Sequence, residues 1–180
     1  MILNAFETML DRTPPDWLRV IEVSTLMDVF ARAFRVEPPT LESASADEAL
    51  ELFREFTAAC MEAALASDEA AAAYRARLGA GARELGRKVR AAVPARSSSA
   101  LRLVRFFYRG IGIELEGELP GVLCFGPCSF AQRYTPADCW FMSAFDEGFM
   151  CGIMGVEGAL RFSCRLTEGA PCCRAQLDEL

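Results

Sequence analysis

The pattern of apolar and polar residues in the first half of the chain has helical spacing throughout. Apolar side chains recur every three or four residues, and proline pairs or short polar segments separate the runs. Glycines at 79, 81 and 86 weaken the last run as an isolated helix, and they would let another element pack closely against it. Helices are predicted over about residues 1–12, 16–35, 48–66 and 69–92.

The spacing changes in the second half of the chain. Leu101 to Gly110 still favours a helix, but Ile111, Ile113 and Leu115 then alternate with glycine and glutamate, as in a half-buried strand. Thr135-Pro136-Ala137-Asp138 is a strong helix start, with an N-cap, a proline at the first helical position and an acidic residue at the third. Strands are predicted over about residues 111–115, 122–125, 160–166 and 172–177.

This order of elements predicts an α+β fold, in which N-terminal helices precede a small antiparallel sheet with a helix packed on it. The segment 93–99, rich in serine and containing a proline, reads as a linker. We therefore divide the chain into a helical region, 1–95, and a cysteine-rich α+β region, 100–180, that together form one compact unit.

Composition narrows the range of partners. Hydrophobic residues make up 52% of the 180 residues and charged residues 24%, as in a globular protein, and the net charge of −6 argues against a nucleic-acid partner. No apolar run is long enough to span a membrane, and the N-terminus lacks the features of a signal peptide. A cytoplasmic location is expected, where cysteines are free thiols more often than disulfides. A homo-oligomer is left open.

The chain contains no histidine. This excludes Ser-His-Asp and Cys-His catalysis and histidine-bound metals, so a nucleophile must be Cys, Ser, Thr or a carboxylate. No cofactor or metal is predicted. A zinc or iron ion bound by thiolates remains open, with Cys128, Cys139 and Cys173 as its ligands.

Most of the candidate chemistry lies between residues 121 and 178, which hold seven of the eight cysteines. Cys139, Met142 and Asp146 share one face of the predicted helix after Thr135. Cys139 lies in the first turns of that helix, where the helix dipole is expected to lower the pKa of its thiol. Cys128 is predicted at a strand end or in a loop.

These residues can also be interpreted as part of the hydrophobic core, with no role in catalysis. A cysteine among Trp140, Phe141 and Phe145 is typical of a protein core. Cys172 and Cys173 are adjacent on a predicted strand, so their thiols point to opposite faces, and one of them can face a site while the other faces the core.

The C-terminal motifs resemble those of the L-2-amino-thiazoline-4-carboxylic acid hydrolase family. The resemblance rests on Cys128-Ser129-Phe130-Ala131, on Cys139 and Asp146, and on the segment from Leu160 to Cys173. The family's usual aspartate after the late glycine is replaced by Ala170. The late hairpin is also similar, more distantly, to the small-molecule-binding domains named after vinyl reductases.

The resemblance implies a hydrolase that opens a cyclic amidine or thiazoline-like ring bearing a carboxylate. Cys128 or Cys139 would be the nucleophile and Asp146 the acid or base, with Cys173 as the late cysteine of the motif. A vinyl-reductase-like module that binds a small molecule or a metal without catalysis is the alternative. The residues expected to bind the substrate are Arg133, Tyr134, Arg161 and Arg165.

Overall fold

The computed structural model describes residues 8–93, 99–119 and 121–179, and it has the predicted α+β fold. The predicted helix over 1–12 and the linker over 93–99 fall largely outside the described residues. Among the residues described, none of the helices combines the length and hydrophobicity needed to cross a membrane. The helices are α1 (Asp16–Phe34), α2 (Ala46–Ala64), α3 (Asp68–Ala92), α4 (Ala100–Gly110) and α5 (Pro136–Met154).

The strands form one four-stranded antiparallel sheet in the order β1-β2-β4-β3. The first strand begins later than predicted, because Ile111 caps the end of α4 and Gly112 takes a left-handed conformation with φ of 73°. The third strand ends earlier, because residues 166–168 form a 3-10 turn. The strands are β1 (Ile113–Gly117), β2 (Val122–Cys128), β3 (Gly158–Cys164) and β4 (Cys173–Glu179).

Capping boxes start two of the helices. At α5, Thr135 Oγ1 accepts a hydrogen bond from Asp138 N at 3.2 Å, and Asp138 Oδ2 accepts one from Thr135 N at 2.8 Å. Ser45 and Glu48 make the same exchange at the start of α2. These contacts confirm the predicted helix start at Thr135-Pro136.

Helices α3 and α5 pack against each other through glycines. A side-chain carbon added at Gly86 would lie 2.5 Å from the carbonyl oxygen of Phe149 and 2.9 Å from the amide nitrogen of Ile153. Gly148 and Gly152 of α5 lie equally close to the backbone of α3. The prediction that the glycines of α3 admit a neighbouring element is therefore confirmed, although Gly81 meets only the Val29 side chain.

One hydrophobic core joins the helical region and the sheet. Phe30 of α1 is fully buried and contacts Phe53 of α2 and Phe145 of α5, with ring centroids 5.6 and 5.8 Å apart. Phe149 of α5 packs against Phe107 of α4. Helix α5 thus packs on the N-terminal helices, and this packing fixes the side chains that it presents toward the sheet.

Candidate functional site

A small cavity of about 60 Å³ lies between α5 and the sheet. Its walls come from α4, α5, the strands and the loop after β2. Six of the eight predicted site residues line it: Cys128, Tyr134, Cys139, Asp146, Arg165 and Cys173.

Local structure explains why these side chains meet. Cys139 and Asp146 are seven residues apart on α5 and line the cavity from the same helix face, together with Met142. Cys173 is the first residue of β4 and pairs with Phe125 of β2. Cys128 ends β2, so the sheet contributes two thiols and the helix one.

Asp146 is the best-positioned ionisable group of the cavity. The Tyr108 hydroxyl donates a 2.7 Å hydrogen bond to its Oδ1 atom. Burial raises the pKa of Asp146 to about 6, although Tyr108 and the positive charge of Arg165 both act to lower it. The carboxyl group therefore titrates close to neutral pH. Burial and the neighbouring carboxylate raise the pKa of Tyr108 well above its ordinary value, so its hydroxyl remains a donor.

The three cavity thiols are not activated. Burial raises the pKa of Cys128 to about 11 and moves the pKa values of Cys139 and Cys173 upward as well. The prediction that the start of α5 lowers the pKa of Cys139 is wrong. The first N–H groups of that helix are already engaged in the capping box, where the Asp138 carboxylate occupies the positive end, and burial outweighs what remains.

Arg165 carries an unused hydrogen-bond donor at the cavity. Its side chain is 15% exposed, its Nη1 atom lies 3.4 Å from Glu168 Oε1, and its guanidinium lies over the Phe162 ring at 5.3 Å. The Nε atom is buried and has no hydrogen-bond partner. An unpaired buried donor is costly, which favours a ligand that accepts from it.

The remaining predicted binding residues do not present free polar groups to the cavity. Arg133 is half exposed and pairs with Glu51, and Arg161 pairs with Asp178 through a 2.6 Å contact on the outer side of the sheet. The Tyr134 ring lines the cavity, but its hydroxyl hydrogen-bonds Thr57 of α2. Of the three predicted arginines, only Arg165 reaches the site.

Cys124 and Cys172 form a disulfide, although free thiols were the more expected state of the cysteines. The bond joins β2 to the residue before β4. Cys172 is thus buried in the disulfide while Cys173 lines the cavity, so the two adjacent cysteines do have different surroundings, as predicted. The remaining cysteines, Cys60, Cys151 and Cys164, are free and lie outside the cavity.

A thiolate metal centre is not assembled in the part of the chain that the structure describes. Within that part, no group of three or more Cys, Asp or Glu side chains is placed to hold a metal ion. Cys128, Cys139 and Cys173 share a cavity, but they do not form such a group.

Sequence reasoning missed three aromatic residues of the site: Tyr108, Phe125 and Phe162. Tyr108 is the most consequential, because it fixes the Asp146 carboxyl from another helix, 38 positions away. In the sequence, Tyr108 appears only as one apolar position of α4, and nothing in its spacing links it to Asp146. Phe125 and Phe162 appear only as inward-facing strand positions, and their rings contact at 5.5 Å.

Comparisons with family models, with curated proteins and with solved structures found no match to this chain.

Proposed function

We propose that the chain binds a small carboxylate-bearing heterocycle in the cavity between α5 and the sheet. The observation that carries this proposal is the buried Nε atom of Arg165, a charged donor without a partner in a side chain that lines the cavity. A ligand carboxylate would satisfy this donor with a charge-assisted hydrogen bond.

The rest of the cavity suits a planar, partly apolar ligand with an N–H group. The rings of Phe125, Phe162 and Tyr134 offer apolar walls. Near neutral pH the Asp146 carboxyl is mostly ionised, so it accepts a hydrogen bond from an amidine or amine of the ligand. The cavity of about 60 Å³ is smaller than such a ring, so binding requires Met142, a flexible side chain at the wall, to move.

Binding without turnover is the function that these electrostatics support best. Cys128, Cys139 and Cys173 are protonated at neutral pH, and a thiol is a much weaker nucleophile than a thiolate. This favours the binding-module interpretation over thiolate catalysis.

Calorimetric titration with two probes tests the proposal. L-2-amino-thiazoline-4-carboxylate presents both the ring amidine and the carboxylate, and 2-amino-thiazoline is the same ring without the carboxylate. The first probe should bind the protein about tenfold or more tightly than the second, and Arg165→Met should remove the difference. Arg161→Met, on the outer side of the sheet, is the matched control and should bind like the unmodified protein. Equal binding of both probes to the unmodified protein would contradict the proposal.

Hydrolysis of the same ligand is the second candidate, and the juxtaposition of Asp146 with three thiols favours it. In this reaction a cavity thiol would give its proton to Asp146 and add to the amidine carbon. The ring C–S bond would break, with its sulfur taking a proton, and water would then release the carbamoyl product and restore the thiol.

Mass spectrometry of the reaction mixture tests this second candidate. Ring opening adds the mass of one water to the probe. The rate of ring opening should fall in Asp146→Asn and in each single alanine variant of the three thiols. If the unmodified protein binds the probe and returns it unchanged, the hydrolytic role is excluded and the binding role stands.

A further inference from the structure

A second cavity, of about 120 Å³, lies on the other side of Tyr108, among α1, α3, α4 and α5. Aliphatic and aromatic side chains form nearly all of its wall, including Leu85 and Val89 of α3 and Phe145 and Phe149 of α5. Tyr108 lines both cavities, but its hydroxyl is committed to Asp146 and offers no donor here.

Glu22 of α1 is the exception in this apolar wall. Glu22 is only 8% exposed, and its Oε2 atom is buried without a hydrogen-bond partner. Thr25, the other polar residue of α1 at the cavity, already donates its hydroxyl to the carbonyl oxygen of Ile21 at 2.8 Å. Glu22 therefore presents the one carboxyl group at this wall, and its Oε2 atom has no hydrogen-bond partner.

The backbone of α4 leaves room for this carboxyl group. Gly110 lies directly against the Glu22 carboxyl, and a side-chain carbon at position 110 would occupy the space of Oε2. The Gly110 carbonyl oxygen accepts a 3.0 Å hydrogen bond from Arg19 Nε. The other guanidinium nitrogens of Arg19 pair with Asp16 at 3.2 Å and with Asp47 at 3.0 Å and not with Glu22. Burial raises the pKa of Glu22 well above its ordinary value, although the positive charge of Arg19 acts to lower it.

We propose that this cavity binds a neutral, mainly apolar ring compound whose single hydrogen-bond acceptor, a carbonyl oxygen, accepts a hydrogen bond from the Glu22 carboxyl group. A buried polar group left unpaired destabilises the fold, whereas an aliphatic residue at position 22 would carry no such cost. A ligand that accepts from the carboxyl group removes that cost and fills apolar space at the same time.

Charge and size restrict the ligand class. A charged ligand is disfavoured because nearly all of the cavity wall is apolar and burial raises the pKa of Glu22, its one carboxyl group. Dry apolar cavities of about 150 Å³ take up a benzene-sized molecule in other proteins, so about 120 Å³ suits a single small ring. The inference adds a second site to the proposed function and does not depend on Arg165 or on the cavity thiols.

Cyclohexanone and methylenecyclohexane are a suitable pair of probes. They have nearly the same shape, and only the ketone carries an acceptor. Near neutral pH, where Asp146 is mostly ionised, calorimetric titration should show that the ketone binds the protein about tenfold more tightly than the hydrocarbon. Difference infrared spectra should show the band of one protonated carboxyl group shifting when the ketone binds.

Variants of Glu22 decide the assignment. Glu22→Gln keeps a donor and should keep most of the preference for the ketone, while its spectrum loses the carboxyl band. Glu22→Leu should bind the two probes equally, and circular dichroism would verify that both variants are folded. Equal binding of both probes to the unmodified protein, binding of neither, or a preserved preference in Glu22→Leu would overturn the proposal. Arg165→Met should leave ketone binding unchanged, which separates this test from that of the first cavity.

Discussion

The hydroxyl of Tyr108 donates a 2.7 Å hydrogen bond to the carboxyl group of Asp146, and this contact joins α4 to α5 at the wall of the candidate site. It is the one direct hydrogen bond to Asp146 among the described side chains. Burial favours the neutral form of this carboxyl group, and the hydrogen bond from Tyr108 acts in the opposite direction. As a result, Asp146 still ionises near neutral pH. Tyr108 is thus a positioning residue for Asp146.

The first prediction concerns this contact. Tyr108→Phe removes the donor, so the pKa of Asp146 should move above about 6, because the hydrogen bond favours the ionised form. Unfolding free energy at pH above that value should fall by about 1.5–3 kcal/mol, as for a hydrogen bond to a charged group. Carboxyl NMR titration and urea unfolding measure the two effects. Tyr74→Phe, which removes a hydroxyl elsewhere in the core, should leave the Asp146 titration in place, and an unchanged titration in Tyr108→Phe would contradict the assignment.

A second prediction follows from the sign of the Asp146 shift. The folded protein holds the Asp146 proton up to about pH 6, whereas the unfolded chain loses it near an ordinary pKa of about 3.9. The folded state therefore binds more protons between these values, and stability falls as pH rises through this window. Asp146→Asn carries no such cost and should be more stable than the unmodified protein by on the order of 3 kcal/mol well above pH 6.

The decisive observation is how the stability difference between Asp146→Asn and the unmodified protein changes with pH. Urea unfolding across the range should show the advantage of Asp146→Asn shrinking toward zero below about pH 4, where both side chains are neutral. Asp178→Asn, at the surface ion pair with Arg161, should change stability by less than about 1 kcal/mol throughout. A destabilised Asp146→Asn at neutral pH would mean that the carboxylate serves the fold and not a site.

The fold was predictable because its determinants are local in sequence. Thr135 and Asp138 are three residues apart and specify the start of α5, and the alternation after Gly110 specifies a strand. The shared face of Cys139 and Asp146 follows from the same helical period. The strand predicted to continue to residue 166 ends at Cys164, because Leu166–Glu168 form a 3-10 turn that ends at Gly169, with φ of 87°.

The rest of the site depends on contacts between distant residues. Arg161 and Arg165 look alike in the sequence, but strand register places Arg161 on the outer side beside Asp178, while the turn after Cys164 brings Arg165 to the cavity. The pKa of Cys139 depends on how deeply tertiary packing buries the thiol, which helix position alone does not indicate. Tyr108 contacts Asp146 only once α4 and α5 have packed.

A third prediction tests the close packing of α3 on α5. Gly86→Ala should lower the unfolding free energy by at least about 2 kcal/mol, because the added carbon meets backbone atoms that cannot move independently of α5. Gly81→Ala in the same helix meets only the Val29 side chain, at 3.2 Å, and gains helix propensity. It should stay within about 1 kcal/mol of the unmodified protein. Urea unfolding of the pair measures the difference, and equal effects would refute this packing.

The fourth prediction concerns the disulfide. Cys124 and Cys172 are 48 residues apart, and a cross-link of that span stabilises a fold by about 4 kcal/mol in the chain-entropy model. The double variant Cys124→Ala/Cys172→Ala should lose stability by about 2–4 kcal/mol, and a reductant should then have no further effect on it. The unmodified protein should lose stability in reductant by a similar amount. Unfolding measured with and without reductant checks both statements. If reductant left the unfolding free energy of the unmodified protein unchanged, the disulfide would not stabilise the fold.

The most direct test of the proposed site is the protection of its thiols by a ligand. Limiting iodoacetamide at mildly alkaline pH, followed by peptide mapping, measures the separate alkylation rates of Cys128, Cys139 and Cys173, with half-buried Cys164 as a reference outside the cavity. Saturating L-2-amino-thiazoline-4-carboxylate should slow the three cavity thiols by about tenfold or more and leave Cys164 unchanged, because only the cavity thiols lie beside the bound ring. Unchanged rates at all three, or equal slowing at Cys164, would contradict a small-molecule site between α5 and the sheet.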